Sequence, residues 1–86
     1  MRLTNKFGNE PKNQEIMGNA ERTYFKSYGT VIATIDHTMH GQVTLDGYYW
    51  NYSVTTGYYR NQFLGEGIAD TRKKIKSGVY KLANLN

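Results

Sequence analysis

Apolar and polar residues alternate in two neighbouring stretches near the middle of the chain. Residues 24–36 are rich in β-branched and aromatic side chains, and Val31, Ala33 and Ile35 alternate with the residues between them. Residues 42–46 show the same period of two, which is typical of strands. Turn-forming residues separate the two stretches, so we expect them to pair as an antiparallel hairpin.

A third strand is predicted directly after this hairpin. The Asp-Gly pair at residues 46–47 is a turn signal. Beyond it, alternation over residues 48–52 would place every second side chain, beginning with Tyr48, on one face. Residues 79–82 also alternate and could supply a final strand or an extended segment packed on the sheet.

Two short helices are predicted between these β segments. Hydroxyl side chains at residues 53–56 can accept hydrogen bonds from the first turn of a helix, which we expect over residues 56–64. Glycines at positions 65 and 67 should end it. A second helix fits residues 68–76, because it carries an acidic residue in its first turn, lysines in its last turn and Gly78 just beyond.

These elements predict an α+β fold. The sheet would be a three-stranded antiparallel β-meander, with a four-stranded sheet as the alternative, and one or two short C-terminal helices would pack on one face. Residues 1–22 show no period and are expected to form a mobile or loosely docked arm, with a short first strand or turn near residues 15–17 as the alternative. Residues 23–86 would form the single domain. The predicted core consists of Val31, Ala33, Ile35, Val43, Leu45, Trp50, Tyr52, Phe63, Leu64, Ile68, Ile75 and Leu82.

Aromatic residues are concentrated in one part of the chain. Seven of the seventeen residues from Tyr48 to Leu64 are aromatic, and Arg60 is the only charged residue among them. Tyrosine, tryptophan and arginine dominate the binding energy of many protein interfaces, and eight tyrosines exceed what a core of this size can hold. The sequence therefore predicts a contact surface that includes Tyr48, Tyr49, Tyr58 and Arg60.

The chain is basic, with eleven Lys and Arg against seven Asp and Glu and a formal charge of +4. This balance favours polyanionic partners, and it excludes a protein that inhibits by imitating the acidic DNA backbone. The densest run of charge comprises Arg72, Lys73, Lys74 and Lys76. Two interpretations remain open for this run: a solvated helix face, or a patch that contacts phosphates.

Catalytic and metal-binding signatures are not found in the sequence. The chain has no cysteine, so thiolate chemistry and zinc–thiolate sites are excluded. His37 and His40 lie beside Asp36 in a predicted hairpin loop without a second ligand cluster, which favours a solvated loop over a metal site. The remaining carboxylates form no obvious pair. We therefore expect a protein that is not an enzyme and that uses no cofactor or metal.

Four segments carry a resemblance to a known group of proteins. YFKSYGTVIA at residues 24–33, VTLD at residues 43–46, YWNYSVTT at residues 49–56 and YRNQFLG at residues 59–65 resemble a family of small uncharacterised proteins of phages and prophages of Gram-positive bacteria. The likeness covers roughly residues 23–82. A cytoplasmic location is expected, because no apolar stretch approaches the roughly 18 residues needed to span a bilayer and the N-terminus resembles no signal peptide. The resemblance implies a phage setting, and for a phage-encoded protein the location would be the host cytoplasm.

Two functions are weighed from these observations. The first is a non-enzymatic phage-type accessory protein that binds and blocks a host protein or protein–nucleic acid complex, with restriction and CRISPR defence systems as candidate targets. The second is direct binding of DNA or RNA by a sheet-plus-helix surface. No membrane contact is expected, and a homodimer remains an option because of the surplus tyrosines and an exposed edge strand. The predicted binding residues are Tyr48, Tyr49, Tyr58, Arg60, Arg72, Lys73, Lys74 and Lys76.

Overall fold

A five-stranded sheet and two helices form an α+β fold in the computed structural model, which describes residues 2–86. The predicted fold class is confirmed at this level. The elements in chain order are β1 (Gln14–Gly18), β2 (Arg22–Ser27), β3 (Thr30–Asp36), a short 3₁₀ helix (His37–Met39), β4 (Gln42–Asp46), α1 (Val54–Leu64), α2 (Ile68–Ser77) and β5 (Lys81–Ala83).

The strands lie side by side in the order in which they occur in the chain. Each of the pairs β1–β2, β2–β3 and β3–β4 is antiparallel, whereas β5 is parallel to β4. Parallel neighbours need a long crossover connection, and α1 and α2 together supply it. The final strand that the sequence allowed therefore exists, but it is not part of an antiparallel meander.

The predicted first strand, residues 24–36, is in fact two strands joined by a tight turn. Ser27 pairs with Thr30, and the two residues between them have positive φ angles, 52° at Tyr28 and 77° at Gly29. Such left-handed angles suit two-residue hairpin turns. Tyrosine seldom adopts this conformation, so its presence at position 28 does not indicate a turn. The sequence pattern therefore predicts one continuous strand.

The prediction of a strand over residues 48–52 is wrong, because this segment is a series of turns. The backbone N–H groups of Tyr48 and Tyr49 donate to Oδ2 of Asp46, at 3.1 Å and 2.8 Å, rather than to a neighbouring strand. Trp50 N–H donates to the carbonyl of Asp46 at 3.0 Å. The side chain of Asp46 thus turns the chain away from the sheet, and β5 occupies the edge of β4 instead.

Both helices occur close to their predicted bounds. Ser53 caps α1, since its Oγ accepts a hydrogen bond from the N–H of Thr56 at 3.1 Å. Helix α1 is followed by Gly65 and α2 by Gly78, and these two glycines have φ angles of 70° and 84°. Because glycine adopts this left-handed conformation without steric cost, it is the residue found at the C-terminal end of both helices.

The core lies between one face of the sheet and α1. Phe25 is opposite Ala33, and Ala33 is opposite Leu45, so all three side chains share that face. Phe63 of α1 packs on Phe25, with ring centroids 5.7 Å apart. The buried apolar residues are Leu3, Phe25, Ile32, Ala33, Val43, Leu45, Tyr59, Phe63 and Tyr80.

Most of the predicted core is confirmed, and two assignments are wrong. Tyr52 is 65% exposed and Leu82 is 46% exposed. Tyr52 lies in the loop rather than in a strand, and Leu82 lies in the short edge strand. The predicted core residues that are buried or half-buried are Val31, Ala33, Ile35, Val43, Leu45, Trp50, Phe63, Leu64, Ile68 and Ile75.

Residues before Thr23 contact the rest of the fold through both their first residues and strand β1. The side chain of Leu3 is buried in the core. Gln62 of α1 fastens the same segment, because its amide accepts from Thr4 N–H at 3.0 Å and donates to the Thr4 carbonyl at 2.8 Å. Strand β1 pairs with β2 along its whole length. The segment predicted as an arm therefore contributes an edge strand and a core residue.

One buried side chain in β1 is poorly satisfied. Gln14 is 6% exposed, and neither its Oε1 nor its Nε2 has a hydrogen-bond partner in residues 2–86. An unsatisfied buried amide costs about 1–3 kcal/mol. We expect Gln14→Met, which keeps the volume and removes the polar atoms, to raise the free energy of unfolding by about 1–2 kcal/mol in urea denaturation.

The matched variant is Gln62→Met, which removes the two bonds to Thr4. It should lower the free energy of unfolding by about 1 kcal/mol. A loss of stability in Gln14→Met would show that the amide of Gln14 is satisfied in solution.

Candidate functional site

Four large apolar side chains are exposed in the short stretch of chain that leaves β4 and enters α1. Tyr48 is 76% exposed, Val54 92% and Tyr58 46%, and Tyr52 is also exposed. We call these four residues the tyrosine surface. Tyr49 was predicted at the surface, but it is half-buried against the core. The ring of Tyr49 packs against two residues of the tyrosine surface, with its centroid 4.6 Å from that of Tyr48 and 5.3 Å from that of Tyr52.

The carboxylate of Asp46 fixes the loop that carries this surface. Besides the N–H groups of Tyr48 and Tyr49, it accepts bonds from Leu85 N–H at 2.9 Å and Asn86 Nδ2 at 3.1 Å. Burial opposes ionisation of this carboxyl group, but the four hydrogen bonds together hold the pKa of Asp46 below its ordinary value of 3.8. The loop and the C-terminal residues are therefore held by one charge.

Arg60 is buried, although it was predicted to contribute to a contact surface. It is 1% exposed, and its guanidinium lies over the ring of Trp50, with Cζ 5.3 Å from the ring centroid. It donates to the Trp50 carbonyl at 2.9 Å, to Asn51 Oδ1 at 3.1 Å and to Asn61 Oδ1 at 3.0 Å. The Arg60 side chain thus ties the tyrosine-bearing loop to α1.

No carboxylate pairs with Arg60 in the described part of the chain, residues 2–86. Burial lowers the pKa of this guanidinium, the nearby charge of Arg72 lowers it further, and Glu66 opposes both effects. An arginine stays charged in proteins even so. The site therefore contains a buried positive charge whose hydrogen-bond acceptors are all neutral.

The predicted basic run on α2 divides into two groups. Arg72, Lys73 and Lys76 are exposed, and we call them the basic edge. Lys74 is engaged within the fold, because its Nζ donates to Glu66 Oε1 at 2.6 Å. Of the four residues in this run, the three of the basic edge are therefore free to contact an anionic partner.

Glu66 connects several elements, a role that was not predicted from the sequence. Its carboxylate also accepts from the hydroxyl groups of Thr71 at 2.7 Å and Tyr80 at 2.8 Å. The side chain is 7% exposed. Burial opposes its ionisation, but the bonds from Lys74, Thr71 and Tyr80 together keep the pKa of Glu66 below its ordinary value of 4.5. The glycines on both sides of Glu66 indicated only a break between helices.

The lowered pKa values of Asp46 and Glu66 predict an acid-sensitive fold. A carboxyl group with a lower pKa in the folded state contributes stability that is present above its unfolded pKa and lost as pH falls through the folded pKa. We expect the free energy of unfolding to be level from neutral pH to about pH 5 and to fall below pH 4.5, the ordinary value for Glu66. Urea denaturation at a series of pH values measures this profile.

Glu66→Gln should flatten part of that acid limb, since glutamine does not titrate. The matched variant Glu21→Gln changes an exposed carboxylate and should keep the wild-type profile. An acid limb with the same slope in Glu66→Gln and in wild type would contradict the role of Glu66.

His37 and His40 precede β4, whereas the tyrosine surface follows it, so the two lie at opposite ends of this strand. Both histidines are exposed, in or next to the 3₁₀ helix. Thr23 Oγ1 and His37 Nε2 are 2.7 Å apart. Within residues 2–86, no group of three or more His, Cys, Asp or Glu side chains is placed to hold a metal ion. In the same residues, neither helix is long and apolar enough to cross a membrane.

Comparison with known proteins gives one match. A protein-family model described as a family of unknown function (DUF8033) matches residues 1–79. No curated protein and no solved structure matches the chain. The matched range includes the residues before Thr23, which carried none of the resemblance noted in the sequence. Because this range covers most of the 86 residues, the chain belongs to the DUF8033 family.

Proposed function

We propose that this protein acts by binding, as a non-enzymatic phage-type accessory protein that blocks a host protein or protein–nucleic acid complex of a defence system. The tyrosine surface is the observation that carries the proposal. Its four large side chains are exposed within one short stretch of the chain, residues 48–58. Tyrosine buries a large area with few rotatable bonds, so it serves well as an anchor at protein interfaces.

The support beneath the tyrosine surface favours binding without rearrangement. Asp46 holds the loop at one end, the Ser53 cap starts α1 at the other, and Arg60 fastens the loop to the helix. A surface that is already ordered loses less conformational entropy when a partner binds. The arrangement therefore suits a stable, shape-specific contact.

The test is capture of a partner from a Gram-positive host lysate with the purified chain as bait. We expect one or a few host proteins to be retained by the wild type and lost with the double variant Tyr48→Ala/Tyr58→Ala. The matched control is Tyr28→Ala, which truncates a tyrosine that is 66% exposed in the β2–β3 turn. Equal capture by all three baits would remove the tyrosine surface from the proposal.

Direct nucleic-acid binding is the second candidate, and the basic edge favours it. Arg72, Lys73 and Lys76 are exposed on α2, and none of them forms a salt bridge within residues 2–86. Phosphate contacts release counterions, so affinity for DNA or RNA should fall steeply as salt rises. A protein interface built on aromatic anchors depends much less on salt.

A titration with random-sequence DNA and RNA at several salt concentrations separates the two candidates. Salt-sensitive binding that disappears in Lys73→Glu/Lys76→Glu would support the nucleic-acid function. The control Lys12→Glu/Lys81→Glu makes the same charge change at two exposed lysines outside α2. Lys74 is left intact because its variant would break the bond to Glu66.

A further inference from the structure

A cleft opens beside the first turn of α1, next to the tyrosine surface. Its volume is about 520 Å³, and its lining includes Asn51, Ser53, Tyr58, Arg60 and Asn61. The cleft therefore joins the exposed apolar residues to the buried guanidinium. Three observations bear on what it holds.

The charge of Arg60 is not neutralised within the fold. All three of its acceptors are uncharged oxygens, and its Nε–H has no partner in the described residues. Removing a cation from water is costly unless an opposite charge or a full set of hydrogen bonds compensates. An anion bound in the cleft would complete this compensation.

Arg60 fixes the orientation of the side-chain amides of Asn51 and Asn61, so that their NH₂ groups are available to donate hydrogen bonds to a ligand. A guanidinium only donates, so each asparagine must offer its Oδ1 to Arg60. The Nδ2 group of each amide is then left to donate elsewhere. Within residues 2–86, neither Nδ2 group donates a hydrogen bond. Both residues line the cleft. Two oriented NH₂ groups backed by a positive charge suit an oxyanion.

The surroundings of the cleft are also electropositive. The N-terminal turn of α1 lines it through Ser53 and Val54, and unpaired backbone N–H groups at a helix start favour negative charge. Arg72 is close enough to act on Arg60. Among residues 2–86, Glu66 is the only carboxylate whose charge acts on Arg60, and it is already paired with Lys74.

We propose that this cleft binds a carboxylate, supplied by an Asp or Glu side chain of the protein partner. The assignment of this carboxylate to a protein partner rests on the function proposed above. The assignment of the cleft as a carboxylate site does not depend on that function. A carboxylate is favoured over a phosphate because its single charge matches that of the Arg60 guanidinium, whereas a phosphate group carries about −1.5 to −2 at pH 7. The apolar walls at Val54 and Ile68 suit the short carbon stem of an acidic side chain. A partner seated on the tyrosine surface could place such a side chain in the adjoining cleft.

The test uses the isolated, ¹⁵N-labelled chain and sodium acetate as the probe, with ionic strength held constant by chloride. Acetate should shift the side-chain NH₂ signals of Asn51 and Asn61 along saturable curves and leave that of Asn9 unchanged. A second titration with inorganic phosphate separates the two oxyanions. Preferential binding of phosphate, or no saturable shift with acetate, would overturn the assignment of a carboxylate site.

Asn51→Asp is the decisive variant, because it places a carboxylate where Asn51 already accepts a bond from Arg60. The residue is exposed, so the substitution should not impair folding. We expect it to raise the thermal midpoint, since Arg60 gains a charged partner, and to weaken acetate binding by about tenfold or more. The control Asn9→Asp adds the same charge at an exposed site and should do neither.

The two proposals fail separately. Acetate binding unchanged by Asn51→Asp would overturn the site, whatever the capture experiment gives. If acetate binds as expected and no protein is captured, only the assignment of the carboxylate to a protein partner is overturned.

Discussion

Replacing Phe25 with alanine is expected to lower the free energy of unfolding by about 3–5 kcal/mol. The side chain is fully buried and packs on Phe63 of α1, so its removal leaves a cavity where the sheet meets the helix. A domain of this size has a total stability of about 4–13 kcal/mol. The variant would therefore lose a large share of it, as thermal and urea denaturation would show.

Phe7→Ala is the control for this variant, because Phe7 is 77% exposed. The same atoms are removed without a cavity, and the change should stay within about 0.5 kcal/mol. Similar losses in Phe7→Ala and Phe25→Ala would contradict the packing of β2 against α1.

Replacing Asp46 with asparagine is expected to cost about 2–4 kcal/mol at neutral pH. Asp46 is 2% exposed and accepts bonds at both carboxylate oxygens, from the loop at one and from Leu85 and Asn86 at the other. An asparagine presents an NH₂ group to one of these sets of donors, so that set loses its acceptor. The other set loses the strengthening that comes from a charged acceptor.

Hydrogen exchange of the Tyr49 and Leu85 amides locates the damage, since both N–H groups donate to Asp46. Both should exchange faster in Asp46→Asn than in the wild type. The control Asp70→Asn removes an exposed carboxylate from the first turn of α2, where about 0.3–1 kcal/mol is at stake. Unchanged protection of both amides in Asp46→Asn would contradict the role of Asp46 as their common acceptor.

The helices could be predicted from the sequence because their ends are encoded locally. A capping hydroxyl at Ser53 and glycines beyond each C-terminus mark the bounds, and neither signal needs a tertiary contact. The strands were harder, since the turn at Tyr28 depends on a backbone conformation that tyrosine rarely adopts. The parallel placement of β5 depends on contacts between distant segments, which alternation alone does not reveal.

The candidate site was predicted only in part, for a related reason. Exposed tyrosines follow from composition, because a small core cannot contain all eight. The burial of Arg60 does not follow from a charged side chain in isolation. The sequence did contain one signal for the burial of Arg60. It is the only charged residue in an aromatic run, and Asn51 and Asn61 are able to accept hydrogen bonds from it. Glu66 had no such signal, because its partners come from α2 and from Tyr80.

The parallel pairing of β4 and β5 has a consequence for the order of folding. Every other strand pair joins neighbours along the chain, whereas Thr44 meets Lys81 only after both helices have been enclosed. Closing a longer loop costs more entropy, and local contacts form sooner than distant ones. We expect the hairpins to assemble first and β5 to dock last. Until it docks, the bare edge of β4 is the place where two folding chains are most prone to exchange strands and aggregate.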